Sequence, residues 1–377
     1  ADMDGKVGNI VANEDVGGFI GHNEAGKKII LGVSEYKGTP YGAAGDNAKI
    51  VLGSSVDGYG HVGGFIGHNA GIIDGRECQI DNSGHVGGAN LLNSNGVVVL
   101  DGLNKEMPLC SGGEYIGGVV GYIEQGGEMT LSAGTTVTNS GQVGHSNFQV
   151  ANQSFVGGII GASFGTITVN GTLSNEGSVY GYEYVGGAIG AVGAGTISGT
   201  LNNGSQAEAS AFSSSYEGSE ALVAADGEKV ATSSVTAVRN VGGVIGVVMQ
   251  SATIDGAIMN NYGTVTADSV KYKLVQGQFV PSMVDGVIQS IIDDETKFVS
   301  NLGGVIGLHY GIITGSSEFN NYGHITAENF AGGAIGGLVY ELCEEPPFKG
   351  KVVKYKTTWN LYNLVQNYYI YNLLKPF

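Results

Sequence analysis

A six-residue phrase, [VILA]-Gly-Gly-[FVIA]-[IV]-Gly, recurs eight times in this chain, starting at Val16, Val62, Ile116, Val156, Val185, Val241, Leu302 and Ala331. A decayed copy, Val-Gly-Gly-Ala-Asn, starts at Val86. A repeat constrains the architecture more tightly than any local propensity. Each unit is too small to bury its own apolar face and must stack on its neighbours. Repetition also argues against a fold organised around one catalytic centre.

Successive phrases start 46, 54, 40, 29, 56, 61 and 29 residues apart. The values 56 and 61 approximate two units of 29, and the decayed copy splits 54 into 24 and 30. A unit of roughly 24–32 residues with insertions accounts for the series. A second signal follows each phrase, as in Gly71-Ile72-Ile73, Gly165-Thr166-Ile167, Gly195-Thr196-Ile197 and Gly311-Ile312-Ile313. A third is Asn-x-Gly-x-[VI], running from Asn82 to Val86, Asn139 to Val143, Asn175 to Val179, Asn261 to Val265 and Asn321 to Ile325. Each unit therefore reads as three short β-branched strands, with Gly and Asn supplying positive-φ turn positions.

Gly-Gly pairs would cost a helix about 1 kcal/mol per residue. A propeller blade would need about four strands in 40–50 residues. With 67 Gly but only 6 Pro and no three-residue period, collagen is excluded. The expected fold is all-β: a parallel β-helix (β-solenoid) of about 11–12 coils, somewhat over 50 Å long, with lateral insertions. In the phrase, one apolar residue should face the core and the glycines should permit a tight corner or close backbone approach. Stacking of equivalent positions would place Ile over Ile. A phosphate-binding glycine loop is disfavoured, because it needs a following helix and usually a Lys.

Hydrophobic residues make up 42% of the chain, enough for a core. Charged residues make up only 14%, against about 25% in ordinary soluble domains. The polar surface must come from Ser, Thr, Asn and Gly, a palette suited to exposed β-structure outside the cell. The net charge of −17 disfavours nucleic acid and anionic membranes as partners. No run of 18 apolar residues offers a membrane span. The start at Ala1 is expected of a processed or excised chain. Cys78 and Cys110 lie 32 residues apart, close to one unit, and could form a disulfide or remain two buried thiols. Cys343 is left over.

These units resemble the GLUG-type repeat of bacterial surface proteins. Asn260-Asn261-Tyr262-Gly263-Thr264-Val265-Thr266 and Asn320-Asn321-Tyr322-Gly323-His324-Ile325-Thr326 match it best, and the resemblance covers about residues 5–338. It implies a secreted or cell-surface solenoid and no particular activity.

The repeat domain, 1–338, is interrupted at 205–238 and 268–300. The second insertion contains the apolar run Val284 to Ile292 and is expected to form a short helix or a β-hairpin. Solenoid insertions emerge on one face, often the binding face. The segment 339–377 has different chemistry and holds the single Trp. Its Trp359, Leu361, Tyr362, Leu364, Tyr368, Ile370 and Tyr371 are candidates for capping the open end or docking on a second copy. The N-terminus shows no matching cap, which favours head-to-tail assembly.

No catalytic, cofactor or metal site is expected. Asp293-Asp294-Glu295 and Glu344-Glu345 read as solvated charges, and Asp2-Met3-Asp4-Gly5 lacks the later ligands of a calcium loop. His22 and His68 recur at equivalent positions in Gly-His-Asn, which points to a structural role. The expected function is an extracellular structural or adhesive protein that self-associates into a fibre or binds a surface glycan or protein. The alternative is a carbohydrate-binding or carbohydrate-cleaving β-helix.

Overall fold

The computed structural model describes residues 9–32, 34–36, 39–41, 48–88, 114–145, 153–206, 233–267, 301–327 and 331–338. It also describes the strands Tyr272–Val275, Gln278–Pro281, Met283–Val284, Val287–Ile288 and Lys354–Thr357. All of its regular elements are β-strands, and the two large sheets are wholly parallel, as a β-helix requires. One coil shows the pattern. Ser154–Gly157 turns through Gly158 into Ile160–Ser163, then Thr166–Asn175 lines two further sides, and Ser178–Gly186 runs into the next phrase.

The phrases stack directly on one another. Val16, Val62, Ile116, Val156, Val185, Val241, Leu302 and Ala331 form one unbroken register. Ile20, Ile66, Val120, Ile160, Ile189, Ile245, Ile306 and Ile335 form a second, so the expected Ile-over-Ile column exists. Among the described residues, eight phrase rungs mean eight coils where the spacing predicts eleven or twelve, and these rungs span about 35 Å at about 4.8 Å per rung. The miscount came from treating long excursions as extra coils. Val86 was part of it: it pairs with Val56 and Val143 on the strand after the Asn-x-Gly turn, so it is no phrase copy.

The first excursion is shorter than expected, and the second holds an expected hairpin. Ser234–Gly242 pairs in register with Ser178–Gly186, and Val235 and Ala237 are fully buried, so the solenoid resumes inside the stretch 205–238. Within 268–300, Tyr272–Val275 and Gln278–Pro281 form an antiparallel hairpin. Ser34–Tyr36 and Thr39–Tyr41 pair the same way in the first coil. In the C-terminal segment, Lys354–Thr357 pairs in parallel with Glu318–Asn321 and so adds a rung to the solenoid. The candidate docking residues from Trp359 to Tyr371 lie outside the described residues.

Three apolar residues of the phrase, not one, reach the interior: Val156, Ile159 and Ile160 are all fully buried. The phrase bends at Gly-Gly, and this divides the core in two. The first residue joins a narrow stack of mostly valines, including Val62, Val86, Val143 and Val179. The other two join a wider stack with Ile73, Met129, Leu173 and Phe319. Between these stacks runs a column of asparagines, Asn82, Asn139, Asn175, Asn203, Asn261 and Asn321, five from the third motif and Asn203 in register with them. Each donates its Nδ2 to the Oδ1 of the next, at 2.7 Å for Asn82 to Asn139 and 2.8 Å for the rest. Asn139 and Asn175 also donate to the carbonyl of the glycine two residues on, both at 3.0 Å. In the first coil the position is Leu52, so Asn82 Oδ1 has no donor.

The glycines make room for this column. A Cβ on Gly158 would lie 2.1 Å from the Gly187 carbonyl oxygen and 2.4 Å from Asn175 Cγ, so no side chain fits. The constraint is space, because the phrase glycines do not have positive φ. Five non-glycine residues just before a phrase are left-handed instead: Asp15, Tyr115, Phe155, Tyr184 and Asn240 have φ between 47° and 58°. Asn175→Ala removes one rung and leaves Asn139 Nδ2 and Asn203 Oδ1 without their side-chain partners. Chemical denaturation should show a loss of roughly 2–5 kcal/mol.

Candidate metal centre

Two outward positions flank each phrase: the residue just before it and the seventh residue from its start. In the third to fifth coils these columns are mainly aromatic. Tyr115, Phe155 and Tyr184 stack at 5.0 Å centroid spacing, with Tyr122 5.0 Å from Tyr115. In the first two coils the same positions hold Asp15 and His61, and His22 and His68. Register alone thus assembles one carboxylate and three imidazoles into a two-by-two array.

Asp15 is the hub of that array. Its carboxylate lies 2.6 Å from His61 Nδ1, 2.8 Å from His22 Nδ1 and 3.4 Å from His68 Nδ1. Burial acts to raise the Asp15 pKa, but the His61 and His22 hydrogen bonds and the neighbouring imidazoles outweigh it and hold the carboxyl below its ordinary value. Burial lowers the pKa of His68, against the pull of Asp15. His68 Nε2 lies 3.3 Å from Glu124 Oε2, outside hydrogen-bond geometry.

A second cluster sits on the strand after the Asn-x-Gly turn. Asp57 comes from the first coil, His85 from the second and His145 from the end of the third. The His85 and His145 rings lie 4.8 Å apart, and His85 Nε2 is 3.5 Å from Asp57 Oδ1. Ser55 Oγ donates to Asp57 Oδ2 at 2.7 Å, whereas the buried Oδ1 accepts no hydrogen bond. His145 Nε2 is 2.9 Å from the Gly88 carbonyl. Burial, together with His145, lowers the His85 pKa against the opposing charge of Asp57. In each cluster a carboxylate and two imidazoles bring ligand atoms within 4.8 Å of one another, a donor set suited to first-row transition metals.

Sequence reading placed His22 and His68 at equivalent positions, and they are register partners. It missed their convergence on Asp15 and the whole second cluster. The available signal was the clustering of five of the seven histidines between residues 22 and 145, with Asp15 to His61 and His22 to His68 each separated by the same 46 residues as their phrases. Asp293, Asp294, Glu295, Glu344, Glu345 and Asp2 to Asp4 lie outside the described residues. Cys78 is a buried free thiol whose pKa burial raises, and Cys110 lies outside the described residues. No family model, curated protein or solved structure matches the chain.

His309, in the seventh coil, is a separate case. It is 2% exposed, and burial pushes its pKa down to about 4 despite a backbone hydrogen bond at Gly311. The folded value lies below the ordinary 6.5, so the unfolded chain binds the proton more tightly. This contribution to stability is intact above about pH 6.5 and is lost as pH falls to about 4, a change of about 3 kcal/mol. Denaturant titrations across this range should show that loss, and His309→Leu should flatten it.

Proposed function

We propose that this chain is an extracellular or cell-surface structural repeat protein whose copies join end to end, so that adhesion is a property of the resulting fibre. The observation that carries this reading is the end of the first coil. Phe19 occupies the interior position that Phe65 fills in the second coil, yet Phe19 is 44% exposed and Phe65 only 1%. Ile20, Ile29 and Ile50 are likewise only partly buried, whereas Ile66, Ile73 and Ile80 are buried. Among the described residues, Val16–Gly17, Ile20–Asn23 and Lys28–Gly32 each pair on one side only. An apolar core section framed by open parallel strand edges favours burial against another such section. A second copy of the chain supplies one with matching strand spacing.

Electron microscopy and light scattering of concentrated protein should show linear oligomers, and Phe19→Asp should abolish them while leaving the monomer folded. A wild-type protein that stays monomeric at high concentration overturns the reading. The column of Tyr115, Phe155 and Tyr184 favours glycan binding as a second reading, because a row of partly exposed aromatic side chains can make apolar contact with sugar rings. Glycan-array binding lost in Tyr184→Ala would support it, and an array without hits would remove it.

A further inference from the structure

We propose that Asp57, His85 and His145, whose ligand atoms converge beside Gly87, bind a divalent transition-metal ion that joins the first three coils. The two-by-two array around Asp15 and the cluster around Asp57 differ in one respect. Asp15 already accepts close hydrogen bonds on both oxygens, from His61 and His22. Asp57 is held on one oxygen by Ser55, and its other oxygen, Oδ1, is buried without a donor. A buried carboxylate oxygen lacking a donor is costly unless a cation meets it.

The three ligand atoms come together because Gly87, which pairs with Asp57 across the sheet, has no side chain. An ideal Cβ on Gly87 would lie 2.7 Å from His85 Nε2, 2.8 Å from His145 Nε2 and 3.0 Å from Asp57 Oδ1. The three ligand atoms, from three successive coils, thus converge against Gly87, where a side chain would push them apart. Zinc bonds such donors at about 2.0–2.2 Å, which sets tetrahedral ligand atoms about 3.3–3.6 Å apart, and the three here lie within 4.8 Å of one another, so modest side-chain shifts close the set. Two imidazoles and one carboxylate match zinc, nickel, cobalt or copper. Calcium and magnesium prefer all-oxygen sites. His145 Nε2 now faces the Gly88 carbonyl at 2.9 Å. As a ligand it must offer its lone pair, so the ring proton moves to Nδ1 and the neutral histidine releases no proton. Ser55 takes the outer role, fixing the carboxylate through Oδ2. Three protein ligands leave a fourth position for water.

The test uses the full chain, stripped of metal, with zinc titrated by calorimetry and cobalt followed by visible absorption. The expected result is a site whose zinc affinity falls at least tenfold in His85→Gln, in His145→Gln and in Gly87→Ala. Gly87→Ala is the diagnostic variant, because it keeps every ligand and only pushes the three ligand atoms apart. The Cβ would press on the mobile ends of side chains and not on backbone, so the strand should tolerate it. Ser55→Ala should weaken binding roughly 10–100-fold. Asp15→Asn combined with His61→Gln should leave this site intact. Zinc affinity unchanged in Gly87→Ala, or lost only when Asp15 and His61 are replaced, overturns the proposal. If metal-free Gly87→Ala melts earlier than wild type, His85→Gln and His145→Gln decide, since both rings lie at the surface.

Discussion

The fold rests on a spatial fit between a glycine pair and an asparagine column. The asparagine side chains lie between two apolar stacks, where an unpaired amide would be strongly penalised. They are tolerated because each amide bonds to its counterpart in the neighbouring coils and, at Asn139 and Asn175, to a nearby glycine carbonyl. The column fits only because the facing phrase residue has no side chain, as at Gly158 against Asn175 and Gly187 against Asn203. Two motifs that are separate in sequence are thus halves of one contact, and it recurs along most of the stack. Register follows, since a coil displaced by one residue would set Asn against an aliphatic stack.

With register fixed, the outside of the solenoid becomes a grid. Any column can change chemistry from coil to coil without disturbing the interior. The position before the phrase runs Asp15, His61, Tyr115, Phe155, Tyr184, Asn240 and Asn301. Within it, polar histidine and carboxylate chemistry gives way to stacked rings and then to a hydrogen bond from Asn301 to Asn240. Among the described residues, the side chains grouped closely enough to hold a metal fall on the first three coils because that is where His and Asp coincide on neighbouring grid points.

The repeat, its strands and the stacking of like on like were readable from the phrase and its companions. The coil count was not, because spacing alone cannot separate two short coils from one coil with a long excursion. Val86 shows the difficulty: its Val-Gly-Gly matches the phrase, but Asn82 four residues earlier marks it as the strand after the asparagine turn, and pairing with Val56 decides. The clusters were hidden for a related reason. Asp57, His85 and His145 come from three coils of different length, so no fixed sequence interval joins them. Only the alignment of Val56, Val86 and Val143 brings these three differently offset residues together.

The unequal coils give the molecule a mechanical signature. Each coil pairs with its immediate neighbours, so a pull on both ends would strip coils one at a time from the termini. Each step would release the chain between successive phrases, 29 residues in the shortest coils and 61 in the longest. At about 3.4 Å per extended residue these are contour lengths of about 100 and 210 Å. Under load, the excursions would act as stored slack, letting a rod of fixed thickness yield extension in graded amounts.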